Sequence, residues 1–355
     1  MALYHYMDCS MKMINGNIST SIIRLFNEFK RDFSFNYRLI KCLGPPAIHA
    51  IEPTNYCNLR CIMCFHGLGK MRRKKGFMDF GLFTRIVEEN KSILREKPVD
   101  LDNAGEPLLH PRISDMVRLL HEEGIASYFS TNATLLTKSI ARKLIESGLD
   151  GIIFSFDGVT KNTYEKIRVG ASFDAVLRNI VNFLELKRKL KADNPVTTMQ
   201  ILLMKETKHE VLNFIKFATK LGVDQIVIKR THAWGHEVES WKKVILKPCK
   251  APWSSVVILW DGTVSLCCRD YNAEFPLGNL NSQSLKEIWN GARMQYVRKL
   301  MARGMRYKIP PCTYCEVSGY PRDVFYLRRL TRALVKRIIK RRPTEINGTQ
   351  IIFLL

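Results

Sequence analysis

The chain has 355 residues, 46% hydrophobic and 25% charged, with ten cysteines and a formal net charge of +23. That balance is globular and long enough for one large core plus a small second domain. No apolar run approaches the roughly eighteen residues of a membrane span, and MALYHYMDCSMKMINGN lacks a basic stretch followed by an apolar one, so no secretory signal is expected. A cytoplasmic protein is expected, in which clustered cysteines serve metal or redox chemistry before disulfides.

Residues 1–45 read as an N-terminal extension, with helical spacing in IIRLFNEF at 22–29 and a breaker cluster at Gly44-Pro45-Pro46. Six runs then suit buried strands: AIHAIEPT (47–54), VDLDNA (99–104), IASYFSTN (125–132), GIIFSFDG (151–158), VTTMQILLM (196–204) and VDQIVIKR (223–230). Helical stretches separate them, at 79–96, 113–124, 138–148, 173–190 and 209–222. Several of these end in glycine, as helix C-termini often do. Strand–helix alternation predicts a parallel sheet. Six units are too few for a full barrel, which needs about 250 residues, so 46–235 is expected to form an incomplete one. Chemistry in such folds sits at the carboxyl ends of the strands.

NYCNLRCIMCFHG at 55–67 follows the first strand and so lies at that mouth. Cys57, Cys61 and Cys64 are close enough to wrap one cluster, yet are one short of the four ligands of a tetrahedral zinc or a fully ligated iron–sulfur cube. Three thiolates can hold three irons of a [4Fe–4S] cube and leave the fourth open to a bidentate small ligand; a zinc knuckle is the alternative. LysMetArgArgLysLys at 70–75 follows as a charge run, expected to be solvated or to flank an entrance. His66, His110, His232 and His236 could be acid–base groups, although single histidines of this kind are more often hydrogen-bonded structure.

A second region, 236–320, has a hairpin signal in VVILWDGTVSL with Asp261-Gly262 as the turn. A helical stretch, SLKEIWNGARMQYVRKLM, follows it. The remaining 321–355 form a basic tail. Leu327, Leu330, Leu334 and Ile338 make an apolar face, and Arg328, Arg329, Arg332, Lys336, Arg337, Lys340, Arg341 and Arg342 crowd the rest. Such a helix suits an anionic membrane surface or simply a docked helix with solvated charges.

The sequence resembles the radical S-adenosylmethionine (SAM) superfamily over about 48–320. The likeness rests on the triad, on Ala104-Gly105-Glu106-Pro107 after the second strand, Ser130-Thr131-Asn132 after the third, and Ser155-Phe156-Asp157-Gly158 after the fourth. It implies that the open iron chelates SAM and that reductive cleavage yields a 5′-deoxyadenosyl radical, which takes a hydrogen atom from the substrate. It also implies SAM contacts at Gly105, Glu106, Thr131, Asn132, Ser155 and Arg168, the last through a bidentate pair with the SAM carboxylate. Two positions depart from the family pattern: Ala104 replaces the first glycine of Gly-Gly-Glu-Pro, and Ala133 replaces a glycine after Asn132.

The second region resembles the SPASM/twitch extensions of that superfamily. Cys249, Cys267, Cys312 and Cys315 match in spacing and imply one auxiliary [4Fe–4S] cluster. Cys268 is then an adjacent free thiol, and Cys9 and Cys42 are ordinary thiols; a zinc ribbon would need a second C-x-x-C pair. The implied fold is α/β, a partial (β/α)6 barrel with a small α+β auxiliary-cluster domain.

The implied activity is oxidation of a small molecule such as a sugar or aminocyclitol, with the auxiliary cluster as electron acceptor. The alternatives are a peptide or protein maturase that forms radical crosslinks, and a non-enzymatic iron–sulfur protein bound to an anionic surface. Expected partners are the small-molecule or peptide substrate and an external one-electron reductant such as flavodoxin or ferredoxin. An anionic membrane surface is expected through the tail, and nucleic acid is not.

Overall fold

In the computed structural model the described residues are 18–230, 248–313, 315, 344–346 and 349–354. Each of the six apolar runs becomes a strand: β1 (Ala47–Ile51), β2 (Val99–Asp100), β3 (Ser127–Thr131), β4 (Gly151–Ser155), β5 (Val196–Leu203) and β6 (Gln225–Arg230). They pair in sequential order, all parallel. The connections are helical: α2 (Phe80–Leu94), α3 (Ile113–Glu122), α4 (Lys138–Glu146), α5 (Lys161–Ile167) with α6 (Phe173–Lys189), and α7 (Val211–Leu221). Local sequence explains their ends. Asp79, Thr137, Thr160 and Ser172 each cap a helix start with a side-chain oxygen on a free N–H. Gly222 closes α7 in the left-handed region at φ 78°.

The two faces of the sheet differ as period-two alternation requires. Ile48, Phe129, Ile152, Phe154, Met199, Ile201, Ile226 and Ile228 join one core with Phe83, Ile86, Val117, Leu144, Phe183 and Phe214 of the surrounding helices. The opposite face carries Asp100, Tyr128, Ser130, Ser155, Thr198, Gln200 and Lys229. The helix side is dry and apolar; the other wall is polar.

Three features extend the sequence reading. α1 (Ile18–Asn36), within the N-terminal extension, docks on both regions: Arg31 pairs with Glu96 at 2.9 Å, and Phe35 meets Trp253 edge-on at 5.6 Å. The second region's hairpin, β7 (Ser255–Ile258) with β8 (Thr263–Ser265), continues the barrel sheet, because β7 runs parallel to β1. The short strand β9 (Gly278–Asn279) completes that edge, and the expected helix splits at Asn290-Gly291 into α8 (Leu285–Trp289) and α9 (Ala292–Ala302).

At the other edge, β10 (Thr344–Ile346) and β11 (Thr349–Leu354) form a hairpin, with β11 parallel to β6. The stretch assigned to a tail at 321–355 therefore ends in barrel strands. Its basic stretch 328–342, together with Cys9, His232 and His236, lies outside the described residues. No described helix is long and apolar enough to cross a membrane.

Candidate functional site

β1 ends at Ile51 and the chain turns into the cysteine loop. Asn55 anchors the turn by donating from Nδ2 to Lys74 O (2.8 Å) and accepting from Gly76 N (2.9 Å). Two main-chain bonds then tie the loop to the segment after α5: Arg60 N donates to Val169 O (2.9 Å) and Ile62 N to Ile167 O (3.0 Å). Cys64 N returns to Cys61 O at 3.0 Å, so the second and third cysteines share a tight turn.

Cys57, Cys61 and Cys64 are free thiols close enough to feel one another's charge. Burial pushes all three up, Cys57 to about 12, and the neighbouring thiols add to the shift at Cys57 and Cys64. Three such thiols ionise together only beside a compensating cation, which cluster irons provide. Among the described residues no three His, Cys, Asp or Glu side chains converge on a single ion position. A cube has no such requirement, since each thiolate takes its own iron.

The residues expected at SAM surround this loop. Gly105 needs its missing side chain: a Cβ there would stand 2.2 Å from Thr54 O and 2.7 Å from Tyr56 O. Glu106 N donates to Tyr56 O at 2.7 Å, stitching the second-strand loop to the residue before Cys57. The Glu106 carboxylate is buried, and that burial raises its pKa. It accepts from Thr131 Oγ1 (2.6 Å), Asn132 N (2.8 Å) and Leu108 N (3.1 Å). Asn132 Nδ2 donates to Asn58 Oδ1 at 2.9 Å, inside the cysteine loop. Glu106, Thr131 and Asn132 are thus brought together through the Glu106 carboxylate, while the Asn132 side chain is engaged with Asn58 and Thr134.

Ala133 sits at φ 56°, the backbone for which the family's glycine is suited, whereas Ala104 is not among the positive-φ residues. The Ser155 hydroxyl at the end of β4 is half-buried and bonds to none of the described residues. Arg168 lies against the cysteine loop. Its Nε and Nη2 grip Asp157 Oδ2 at 2.9 and 2.5 Å, and its Nη1 reaches Cys61 Sγ at 3.8 Å.

The second thiol group forms around an arginine that sequence reasoning did not single out. Buried Arg306 feels the charges of Cys315, Cys249 and Cys312 and hydrogen-bonds the Cys312 thiol. Cys267 belongs to the same set, burial and the adjacent thiols Cys268, Cys312, Cys315 and Cys249 all raising it. Burial pushes Cys312 up to about 12. Cys268 faces a different environment. Burial opposes its ionisation, but a hydrogen bond and the charge of His49, with Arg269 beside it, bring it down to about 6. His49 stands at a register shift of β1 against β7, between Ile48 and Ala50, a bulge that re-aims its side chain.

Further residues on the polar wall were also not singled out. Asp100 and Asp102 interact electrostatically with each other and with Lys229, although β2 and β6 lie four places apart in the strand order. The sheet is therefore curled so that these strands face across its interior. Burial and neighbouring Glu106 raise Asp102 to about 7.

The charge run after the cysteines is a clasp. Arg73 bonds both Glu52 oxygens (2.9 and 2.7 Å) and donates to Tyr271 O (2.6 Å). Arg72 pairs with Glu274, while Asn272 bridges Arg72 N and Lys70 O. Phe65, beside Cys64, stacks on Tyr271 with centroids 4.3 Å apart. His66 bonds Ala104 O; His110 bonds Met78 O (3.0 Å) and accepts from Arg112 N, so both are structural. Cys42 is likewise a buried thiol facing Trp253 O at 3.7 Å.

Comparison with known proteins agrees with this geometry. Residues 51–218 match the radical SAM superfamily, and 249–316 match the SPASM iron–sulfur cluster-binding domain. The chain is 25% identical over 313 residues to a tungsten-containing aldehyde ferredoxin oxidoreductase cofactor-modifying protein of Pyrococcus furiosus, covering 75% of this chain and 86% of that one. It is 22% identical to an S-adenosyl-L-methionine-dependent 2-deoxy-scyllo-inosamine dehydrogenase of Niallia circulans, covering 75% and 91%.

Among solved structures, BtrN in complex with AdoMet and 2-DOIA aligns with TM-score 0.53 at 20% identity, over 79% of this chain and 97% of BtrN. Streptococcus suis SuiB bound to precursor peptide SuiA aligns with TM-score 0.60 at 15% identity, over 82% and 73%. At these identities the structural likeness speaks for the fold. The two domains imply a SAM-binding [4Fe–4S] cluster, auxiliary iron–sulfur and SAM as cofactors. The chain belongs to the radical SAM superfamily and carries a C-terminal SPASM-type iron–sulfur domain.

Proposed function

We propose that this enzyme oxidises a small polar molecule, such as a sugar or aminocyclitol, inside the barrel. Cys57, Cys61 and Cys64 hold the SAM-site cluster, and Cys249, Cys267, Cys312 and Cys315 hold one auxiliary cluster. Bound, these groups and SAM supply a 5′-deoxyadenosyl radical that takes a hydrogen atom from the substrate and an acceptor for the electron left behind. An external one-electron reductant such as flavodoxin or ferredoxin primes each turnover.

The observation that carries the reading is the gathering of Cys249, Cys312 and Cys315 about Arg306, with Cys267 beside them, while the fifth thiol, Cys268, is engaged by His49. Four thiolates leave no open iron, which suits an electron carrier better than a substrate ligand. The polar wall with Asp100, Asp102 and Lys229 favours a substrate rich in hydrogen-bonding groups. The likeness to a dehydrogenase acting on an inosamine points the same way. Gly105, Glu106, Thr131 and Asn132 build the SAM pocket chiefly by fixing its loops, and Ser155 offers a free hydroxyl.

Anaerobic reconstitution tests the assignment. Two cubes mean about eight irons per chain. Changing Cys57, Cys61 and Cys64 together to alanine should halve the iron and abolish SAM cleavage. Changing Cys312 and Cys315 should halve the iron yet leave some cleavage. Full iron in either variant overturns the ligand sets. Incubation with separate small-molecule and peptide pools then tests the substrate class: a product lighter by two hydrogens is expected among the small molecules, and a modified product confined to the peptides overturns that class.

A further inference from the structure

The bidentate edge that would suit a SAM carboxylate is already occupied in Arg168. Its Nε and Nη2 share Asp157 Oδ2, while Asp157 Oδ1 accepts from Leu202 N at 2.7 Å. Asp157 is fully buried and Arg168 nearly so. The remaining guanidinium nitrogen, Nη1, is turned to Cys61 Sγ.

This placement belongs to the backbone as much as to the side chain. The residues flanking Arg168, Ile167 and Val169, accept main-chain bonds from Ile62 and Arg60, the residues flanking Cys61. Arg168 and Cys61 are therefore held opposite one another as in a strand pair. Arg168 N also donates to Tyr164 O at 2.8 Å, ending α5 at this point. Three independent restraints aim one cation at one sulfur.

We propose that Arg168 is a positioning residue of the SAM-site cluster, donating an N–H to Cys61 Sγ and raising the cluster's reduction potential, with Asp157 holding it off the SAM carboxylate. The inference rests on Cys61 being a ligand of that cluster. The sign follows from charge: reduction adds a negative charge, and a cation with an N–H aimed at a ligating sulfur stabilises the reduced state more than the oxidised one. A low-dielectric surrounding makes the interaction stronger than it is in water. Lysine cannot reproduce the fork on Asp157 and the third contact together.

The test uses the full chain, anaerobically reconstituted, with redox titration followed by electron paramagnetic resonance in the absence of SAM. The SAM-site cluster is the signal that changes shape when SAM is added. R168Q should shift its midpoint potential to more negative values, and R168K should shift it less in the same direction. Both variants should keep a SAM-responsive signal. Wild-type potentials in both variants overturn the inference, as does an R168Q chain that loses SAM binding at an unchanged potential, which would return Arg168 to the SAM carboxylate. Should R168Q fail to hold the cluster, R168K, which keeps the charge, decides by the same criterion. Failure of the ligand assignment shows separately, as a wild-type chain with no SAM-responsive signal.

Discussion

Adding one methyl group at Gly105 should disable SAM chemistry while leaving the chain folded. A Cβ there would stand 2.2 Å from Thr54 O and 2.7 Å from Tyr56 O, both main-chain atoms. Ordinary contact requires the two loops to part by about 1 Å. The 2.7 Å bond from Glu106 N to Tyr56 O is then lost, at about 1 kcal/mol. Overpacking adds about 1–3 kcal/mol. The sum, about 2–4 kcal/mol, is a large part of an ordinary fold's ~5–15 kcal/mol but does not exhaust it.

The displacement reaches Cys57 directly through Tyr56, and Thr131 and Asn132 through the Glu106 carboxylate. G105A should therefore lower the denaturation midpoint at unchanged slope, and SAM cleavage should fall further than auxiliary-cluster iron. A104G is the control: it removes one buried methyl, about 1 kcal/mol, and leaves the loop where it is. A G105A chain with wild-type midpoint, iron content and SAM cleavage would refute the close-approach argument.

Of the paired thiols, Cys267→Ala should lose the auxiliary cluster and Cys268→Ala should keep it; iron counts and the absorbance of the auxiliary cluster check this, and the reverse outcome would move the ligand one residue along. The basic stretch 328–342 should give salt-sensitive adhesion to anionic vesicles, since each basic residue near an anionic leaflet contributes up to about 1 kcal/mol. Cutting the chain at Pro321 would also strip β11 from the sheet. Glutamine at the eight basic positions is therefore the cleaner variant in a sedimentation assay on neutral and anionic lipids, and equal binding by both chains would rule the stretch out as an anchor.

What the sequence made legible was local or repetitive. The strands and helices of the barrel announce themselves through periodicity, capping residues and terminal glycines, and the triad's place after β1 follows directly. β2 is shorter than its apolar run because, after Leu101 N makes a last bond to Tyr128 O of β3, the chain turns into the loop whose Glu106 N meets Tyr56 O. The single helix expected across Asn290-Gly291 breaks there into α8 and α9, because Asn290 turns back to bond Cys42 and Arg298.

The pairings that complete the site span long stretches of chain, and no local pattern encodes them. Arg73 and Tyr271 are 198 residues apart, and β6 and β11 are joined across 125 residues at Gln225 and Gln350. Arg168 is the instructive case, because spacing placed it beside the cysteine loop without singling out Asp157, its partner among the described residues. Asp157 stood in view, eleven residues earlier, just after β4 and on the other side of the short helix α5. A buried arginine takes the nearest fixed carboxylate before it waits for a diffusing one, since an unpaired charge in the interior costs several kcal/mol (about 3–5 when a buried pair is broken). Both members of such a pair should be read together wherever a loop brings an acid and a base to the same cluster.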